Sequence, residues 1–280
     1  MPVSPPPAEM QHLSMRGGML TPGRRALPQE VPVALSFGGT TQAVMMATPA
    51  DFEDFGIGFA LTEGIALSAA DIEALEVVSS DLGHDVQMRL VTGRQSHLAA
   101  RRRLMAGPVG CGLCGIDSIE EALRDLPVRQ DTGFRMDEKD VLDAVAALSP
   151  GQKLKADTGS VHAAGFYRPG KGMILVREDI GRHNALDKLV GALARCGETA
   201  ATGALVISSR VSVDMVQKAV VAGAPVLIAV SSPTDLAVRT AAAAGMTLVA
   251  MARGQDFEIF TRADRIAPES STAGKHSDVA

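Results

Sequence analysis

The chain has 280 residues, of which 46% are hydrophobic, and its formal net charge is −5. This length and apolar content suffice for one large core or two smaller ones. The acidic balance, the absence of tryptophan and the single tyrosine argue against a nucleic-acid surface, and the charge also argues against an anionic-membrane surface. No signal-peptide pattern and no apolar run of bilayer length are present, so a cytoplasmic protein with no membrane partner is expected.

The first two-fifths of the chain predict a tail followed by a small domain. Residues 1–28 are rich in proline and glycine and lack periodicity, which predicts a disordered tail. Residues 29–106 predict a small α+β domain. Its predicted elements are a hairpin within 31–46 that turns at Gly38-Gly39, a helix over 52–62, and strands at 75–78 and 86–91.

Residues 107–266 predict a second, larger α/β domain, and residues 267–280 a second disordered tail. A helix is expected near 137–148. After it, apolar strands at 173–176, 204–207, 226–230 and 247–251 alternate with helices near 185–195, 213–222 and 236–244, and 257–260 adds an edge strand. Because these strands are continuously apolar, their sheet should be covered by helices on both faces, as in an α/β sandwich.

The most informative segment places Cys111 and Cys114 between glycines in Gly110-Cys111-Gly112-Leu113-Cys114-Gly115. Ser118 and Glu121 follow at capping-box spacing, which predicts a helix directly after the pair. A helix N-terminus lowers a cysteine pKa, and the flanking glycines let another molecule approach the sulfur. The segment therefore predicts a reactive loop.

Three uses of this cysteine pair remain open from the residues alone. A structural zinc site needs four ligands, and no second close pair exists, which leaves the distant Cys196, His162 and His183. Zinc deamination is excluded, because it needs His-x-Glu, which none of the six histidines provides. A dithiol exchanger or a sulfur carrier needs no further ligand. Cys196, at a predicted helix end, is interpreted as a packing residue.

A second polar segment, Arg177 to Asn184, follows a predicted strand and opens a helix. Ligands of open α/β sheets bind at such strand ends. Arg182 and His183 are candidates to hold a phosphate, with Glu178 or Asp179 orienting them, although surface ion pairs would give the same pattern.

Three further segments have two interpretations each. Thr158 to Gly165 is interpreted as a small-residue loop, in which His162 is either structural or catalytic. Ser208–Ser212 and Ser231–Thr234 follow two other strands and either line the same crevice or cap helices.

Seven segments together resemble the formate dehydrogenase accessory protein family, FdhD. The resemblance spans about residues 29 to 265. The segments are Glu30-Val31-Pro32-Val33, Met45-Met46-Ala47-Thr48-Pro49, Gly58-Phe59-Ala60-Leu61-Thr62-Glu63-Gly64, Cys111-Gly112-Leu113-Cys114-Gly115, His162-Ala163-Ala164, the run from Glu178 to Lys188, and Val216-Gln217-Lys218-Ala219.

The resemblance implies a sulfur carrier that serves formate dehydrogenase. Family members take sulfur from a cysteine desulfurase as a cysteine persulfide and pass it to the molybdenum cofactor, bis-molybdopterin guanine dinucleotide, of formate dehydrogenase. Cys111 corresponds to the persulfide cysteine and Cys114 to its companion. The resemblance also implies a homodimer, no zinc, and a second domain similar to the cytidine deaminase fold.

The family's cofactor-contacting segment matches Met251, Ala252, Arg253, Gly254, Gln255 and Asp256, where Asp256 departs from the commoner pattern. Arg182 and His183 join it as candidates. Two other functions are kept open: a non-catalytic chaperone of the molybdenum cofactor, in which the cysteines are dispensable, and a small zinc-binding module.

Overall fold

The computed structural model describes residues 7–95, 126–128 and 133–267. The strands are β1 (Ala8–Arg16), β2 (Met19–Leu27), β3 (Val31–Phe37), β4 (Thr40–Ala47), β5 (Ile72–Ser80), β6 (Gly83–Leu90), β7 (Met136–Asp137), β8 (His162–Arg168), β9 (Gly172–Asp179), β10 (Ala204–Ile207), β11 (Val226–Ala229), β12 (Thr247–Arg253), β13 (Asp256–Thr261) and β14 (Ile266–Ala267). The α-helices are α1 (Phe52–Thr62), α2 (Glu138–Gly151), α3 (Lys153–Thr158), α4 (Arg182–Arg195), α5 (Val213–Val221) and α6 (Asp235–Ala243). The predicted elements within these ranges are confirmed, apart from the differences given below.

The main sheet has six strands in the order β13-β12-β11-β10-β8-β9. Strands β10, β11 and β12 are parallel, whereas β8 is antiparallel to both β10 and β9, so β9 runs in the direction of β10. One face packs against apolar residues of α4, α5 and α6, and the other face packs against α2. The prediction of a sheet covered on both faces is confirmed.

A second sheet of four strands has the order β4-β3-β6-β5. Gly38 and Gly39 form its first hairpin turn with φ of 57° and 77°, values that suit a type I′ turn. Helix α1 packs Phe55 and Phe59 onto one face of this sheet and closes a separate apolar core.

Helix α1 also packs against α4, and two glycines bring the helix backbones into contact. A Cβ atom at Gly58 would lie 1.7 Å from the Asp187 carbonyl oxygen, and one at Gly191 would lie 1.9 Å from the Asp54 carbonyl oxygen. No side chain other than hydrogen fits at either position. This crossing joins the four-stranded sheet to the six-stranded sheet.

The prediction of a disordered tail over residues 1–28 is wrong for residues 8–27. Strands β1 and β2 pair in antiparallel register from Ala8↔Leu27 to Arg16↔Met19, around a turn at Gly17 and Gly18 with positive φ. The residues of the hairpin are largely exposed, so burial imposes no clear alternation that the sequence would reveal. Of the second predicted tail, residues 267–280, Ala267 belongs to strand β14, and residues 268–280 lie outside the described residues.

The interpretation of Thr158 to Gly165 as a loop is also wrong, because strand β8 begins at His162. The strand includes the small residues Ala163, Ala164 and Gly165, and it lies inside the sheet between β10 and the edge strand β9. A Cβ atom at Gly165 would lie 2.7 Å from Met173 and 2.9 Å from Leu148, which explains why glycine occupies a central strand.

We expect Gly191→Ala to destabilise the protein by about 3 kcal/mol or more, because the added methyl meets backbone atoms that cannot rotate away. The matched control is Gly93→Ala, in the helical turn at 92–95, where nothing lies within 4 Å of the added methyl. That change should be neutral or stabilise by up to about 1 kcal/mol. Urea unfolding measures both, and equal stabilities for the two variants would contradict the helix contact.

Candidate functional site

The carboxyl ends of β9, β10, β11 and β12 lie along one edge of the main sheet, because these four strands run in the same direction. The segments at this edge are 180–184, 208–212, 230–234 and 251–253. His162 joins them from the start of β8, where it pairs in register with Asp179. We call this row of segments the strand-end edge. It is the place where open α/β sheets bind ligands.

Residues Met251 to Asp256 form the tip of the β12–β13 hairpin. Met251 has a φ of 54°, rare for a residue with a side chain, and it is 39% exposed. Its N–H donates to the Ser231 carbonyl at 3.3 Å, and Arg253 Nε donates to the Val230 carbonyl at 3.1 Å. Both contacts hold the tip beside the end of β11. Ala252 is buried in the core, so its side chain faces packing partners.

Arg182 and His183 are the first two residues of α4, at the other end of the strand-end edge. His183 Nε2 lies 3.8 Å from Asp214 Oδ2, and burial, together with the positive charges of Arg182 and Lys218, lowers the pKa of His183 to about 4. His183 is therefore neutral at pH 7. Of the two candidates for phosphate binding, only Arg182 carries a charge there.

The predicted orienting role of Glu178 and Asp179 is wrong. The Glu178 carboxylate accepts hydrogen bonds from the N–H groups of Leu154 and Lys155, at 2.8 and 2.9 Å, and so caps the start of α3. The carboxylate that faces His183 is Asp214, at the start of α5.

Asp179 is instead the centre of a buried hydrogen-bond network. Its carboxylate pairs with Lys188 Nζ at 2.7 Å and accepts from Asn184 Nδ2 at 3.0 Å and from the N–H groups of Thr48 and Gly181 at 3.0 and 2.8 Å. Asp179 and Lys188 have no exposed surface. The network links β9 and α4 to the segment after β4, so its role is structural.

A second buried network was missed by sequence reasoning. Lys218 of α5 contacts both Asp187 carboxylate oxygens at 3.0 Å, Glu63 at 2.7 Å and the Thr62 hydroxyl at 3.0 Å. The only sequence signal was that all four residues fall within the segments that carry the family resemblance. The network is close enough to His183 for the Lys218 charge to be one cause of the lowered His183 pKa.

The cysteines are divided between the described and undescribed parts of the chain. Cys111 and Cys114, together with the predicted helix after them, lie outside the described residues. Cys196 caps the C-terminus of α4 and is exposed, so its interpretation as a packing residue is wrong.

Within residues 7–95, 126–128 and 133–267, no group of three or more His, Cys, Asp and Glu side chains is arranged to hold a metal ion. No helix in the same ranges is both long and apolar enough to cross a bilayer.

A cavity of about 890 Å³ lies away from the strand-end edge, against the four-stranded sheet. Its lining includes Glu73, Glu76, Gln87 and Arg89. Arg89 pairs with Glu73 at 3.1 Å, which leaves the Glu76 carboxylate as the excess charge, so the lining disfavours an anionic ligand.

The fold and site define a mixed α/β protein with a row of polar segments at the carboxyl ends of the strands of its main sheet. The chain belongs to the FdhD/NarQ family, whose model matches residues 28–267. The resemblance drawn from the sequence motifs is thereby confirmed.

Close relatives carry the name sulfur carrier protein FdhD. The protein from Agrobacterium fabrum is 54% identical over 253 residues, which cover 90% of this chain and 93% of the relative. The protein from Brucella abortus is 55% identical over 258 residues, which cover 92% of this chain and 96% of the relative.

The fold also matches a crystal structure assigned to a formate dehydrogenase accessory protein from Desulfotalea psychrophila. The TM-score is 0.73, with 94% of this chain and all of that chain covered. At 22% identity, this match supports the shared fold alone.

We expect acid to destabilise the protein through His183. Its folded pKa of about 4 lies below the ordinary value of 6.5, so the unfolded state binds a proton first and stability falls as the pH drops from about 6.5 towards 4. Replacing the imidazole by an amide, His183→Gln, should reduce this loss by on the order of 2 kcal/mol. Urea unfolding at several pH values measures the loss, and an NMR titration of His183 near 6.5 would contradict the expectation.

Proposed function

We propose that this protein is a cytoplasmic sulfurtransferase that carries sulfur for the maturation of formate dehydrogenase. A cysteine desulfurase supplies the sulfur, Cys111 holds it as a persulfide, and the molybdenum cofactor, bis-molybdopterin guanine dinucleotide, receives it. The observation that carries this proposal is membership of the FdhD/NarQ family over residues 28–267, combined with the glycine-flanked Cys111 and Cys114 inside that range.

Sulfur loading requires only thiolate chemistry. The Cys111 thiolate attacks the outer sulfur of the desulfurase persulfide, a new S–S bond forms at Cys111, and the desulfurase cysteine leaves as a thiolate. No net oxidation occurs in this exchange. The flanking glycines allow the close approach of the two sulfur atoms that the exchange needs.

Cys114 has two possible roles, which differ in their products. If its thiolate attacks the inner sulfur, a Cys111–Cys114 disulfide forms and the outer sulfur leaves as hydrosulfide. If it attacks the outer sulfur, the persulfide moves to Cys114 and the Cys111 thiolate is restored. Non-reducing mass analysis of the loaded protein separates the two, because only the first route leaves a disulfide.

The strand-end edge is the proposed binding surface for the cofactor, which is a substrate of the transfer. A diphosphate-bearing ligand suits a helix N-terminus and arginine side chains, which Arg182 at the start of α4 and Arg253 at the end of β12 supply. Neutral His183 adds a hydrogen-bonding group. Met251, Gly254, Gln255 and Asp256 provide the exposed surface of the hairpin tip, whereas Ala252 is buried and holds the tip on the core. The proposed function needs no zinc ion. For the fold, we propose that the main sheet belongs to the cytidine deaminase-like fold.

A second candidate function is a cofactor chaperone that binds the molybdenum cofactor at the same edge without transferring sulfur. One observation favours the chaperone function. The buried networks of Asp179 and Lys218 support the strand-end edge, and neither network includes a cysteine. The two functions differ only in whether Cys111 is required.

We expect Cys111 to gain the mass of one sulfur atom when the protein is incubated with a cysteine desulfurase and cysteine. Cys111→Ala should abolish this gain because it removes the attacking thiolate. The matched control is Cys196→Ala, which removes an exposed thiol elsewhere and should leave the gain unchanged. Intact-protein and peptide mass spectrometry measure the result.

Complementation of a strain that lacks the protein separates sulfur transfer from the chaperone function. Wild-type formate dehydrogenase activity with both Cys111 and Cys114 replaced by alanine would contradict the sulfurtransferase and support the chaperone.

We expect Arg253→Gln and Arg182→Gln each to weaken binding of guanosine diphosphate, a fragment of the proposed ligand, by about 10-fold or more, because each removes a charge-assisted hydrogen bond. The control is Arg239→Gln, on α6, whose guanidinium pairs with Asp235 on an exposed surface. Calorimetry measures the affinities. Equal losses for all three variants would argue against a specific site at the strand-end edge.

A further inference from the structure

Arg182, the first residue of α4, has no counter-charge in the described part of the chain. Its Nε atom is buried without a hydrogen-bond partner, and its guanidinium forms no ion pair there. Two other arginines at or near α4 differ in this respect, because Arg177 and Arg195 both pair with the Asp54 carboxylate. A partly buried guanidinium without a counter-charge is a group that an anionic ligand can neutralise.

A second unpaired arginine, Arg210, lies in the segment after β10. Its side chain is exposed, and within the described ranges it has no ion-pair or hydrogen-bond partner. The backbone around it is fixed on both sides. The Ser209 hydroxyl donates to the Arg210 carbonyl at 3.0 Å, and the next N–H, that of Val211, donates to the Ser232 carbonyl at 3.1 Å. These bonds hold Arg210 at the strand-end edge.

His162 lies between the segments that carry the two arginines. Strand β8 separates β9 from β10 in the sheet, and His162 is its first residue, in register with the last residue of β9. The next N–H along β8, that of Ala163, donates at 2.9 Å to the hydroxyl of Ser208, directly after β10. Two strand spacings of about 4.8 Å separate the ends of β9 and β10 by about 10 Å. One ligand group can therefore reach Arg182, His162 and Arg210 together.

The His162 imidazole is neutral at pH 7 and has positive charges beside it. Burial, together with the charges of Arg182 and Lys155, lowers the pKa of His162, and the Asp179 charge only partly opposes this shift. A neutral imidazole can donate one hydrogen bond to a phosphate oxygen.

The two ends of the strand-end edge differ in their charge balance. In the hairpin tip, Arg253 is in register with Asp256, so its charge has a carboxylate across from it. At the other end, two arginines are unpaired, and the carboxylates of that end have contacts of their own. Asp179 is neutralised in its buried network, and Asp214 faces His183. A diphosphate is therefore more favourable at the end of β9 and β10 than at the hairpin tip.

We propose that Arg182, His162 and Arg210 form the subsite for the diphosphate of the ligand, with the rest of the ligand extending towards Arg253. The two arginines donate charge-assisted hydrogen bonds to the phosphate oxygens, and His162 donates a neutral one. This assignment rests on the proposed function, because it takes the strand-end edge as the ligand-binding surface. It is independent of the sulfur chemistry at Cys111.

The test measures the binding of inorganic pyrophosphate and of guanosine diphosphate to the full chain by calorimetry, without divalent metal ions. Arg210→Gln and Arg182→Gln should each weaken pyrophosphate binding by about 10-fold or more, because each removes a charge-assisted hydrogen bond. Arg253→Gln should weaken guanosine diphosphate binding but change pyrophosphate affinity less than about twofold, because its charge lies beyond a Debye length from the subsite. The control variant, Arg239→Gln on α6, should change neither affinity.

A second measurement follows His162 in the unmodified protein and so needs no variant to fold. Bound pyrophosphate adds negative charge beside the imidazole and should raise the pKa of His162 from its lowered value. NMR titrations with and without pyrophosphate measure this change. The signals of His84, which is bonded to Ser79 on the four-stranded sheet, should not respond to pyrophosphate.

Three results would overturn the subsite: no binding of pyrophosphate by the wild-type protein, Arg210→Gln binding it as tightly as Arg239→Gln, or a His162 titration that pyrophosphate leaves unchanged. If Cys111 accepts sulfur in the same protein, any of these results removes the subsite and leaves the proposed function standing. Conversely, the expected losses in a protein whose Cys111 accepts no sulfur would support the subsite and contradict the sulfurtransferase.

Discussion

The backbone contact between α1 and α4 fixes how the four-stranded and six-stranded sheets pack together. Helix α1 belongs to the core of the four-stranded sheet, and α4 belongs to the core of the six-stranded sheet. Gly58 and Gly191 let the two helices meet without intervening side chains. Because a close-packed crossing has few alternative arrangements, it sets the position of one sheet relative to the other and the direction in which α4 leaves the strand-end edge.

Two buried carboxylates, those of Asp54 and Asp187, lie at this crossing. The carbonyls that face the two glycines belong to Asp187 and Asp54, and the side chains of the same residues pair with Lys218 and with Arg177. A buried ion pair gains little net stability over an apolar pair, but loss of one partner leaves an uncompensated charge. These pairs therefore disfavour other packings of α1 on α4 more than they add stability to this one. They also explain why most charged residues near α4 are unavailable to a ligand.

The six-stranded main sheet was predicted well because its strands β10 and β11 are apolar throughout and because helices α4, α5 and α6 are followed by Gly197, Gly223 and Gly245. The prediction failed for two elements. Strand β8 begins with His162 and the small residues Ala163, Ala164 and Gly165, and the β1–β2 hairpin has no buried face to impose a period. The candidate site was predicted only in outline. The strand-end position of Arg182 follows from the alternation of strands and helices, but the partners of Asp179 and Glu178 come from segments that are distant in sequence, such as Thr48 and Leu154.

The geometry of the strand-end edge restricts the kind of ligand that can use both candidate segments. Arg182 follows β9 and Arg253 ends β12, with β8, β10 and β11 between them. Four strand spacings of about 4.8 Å separate the two ends by about 19 Å. A single phosphate cannot bridge that distance, whereas an elongated ligand with a diphosphate can contact one end while its other parts lie along the edge. This separation fits the elongated, diphosphate-bearing ligand proposed above better than a small anion.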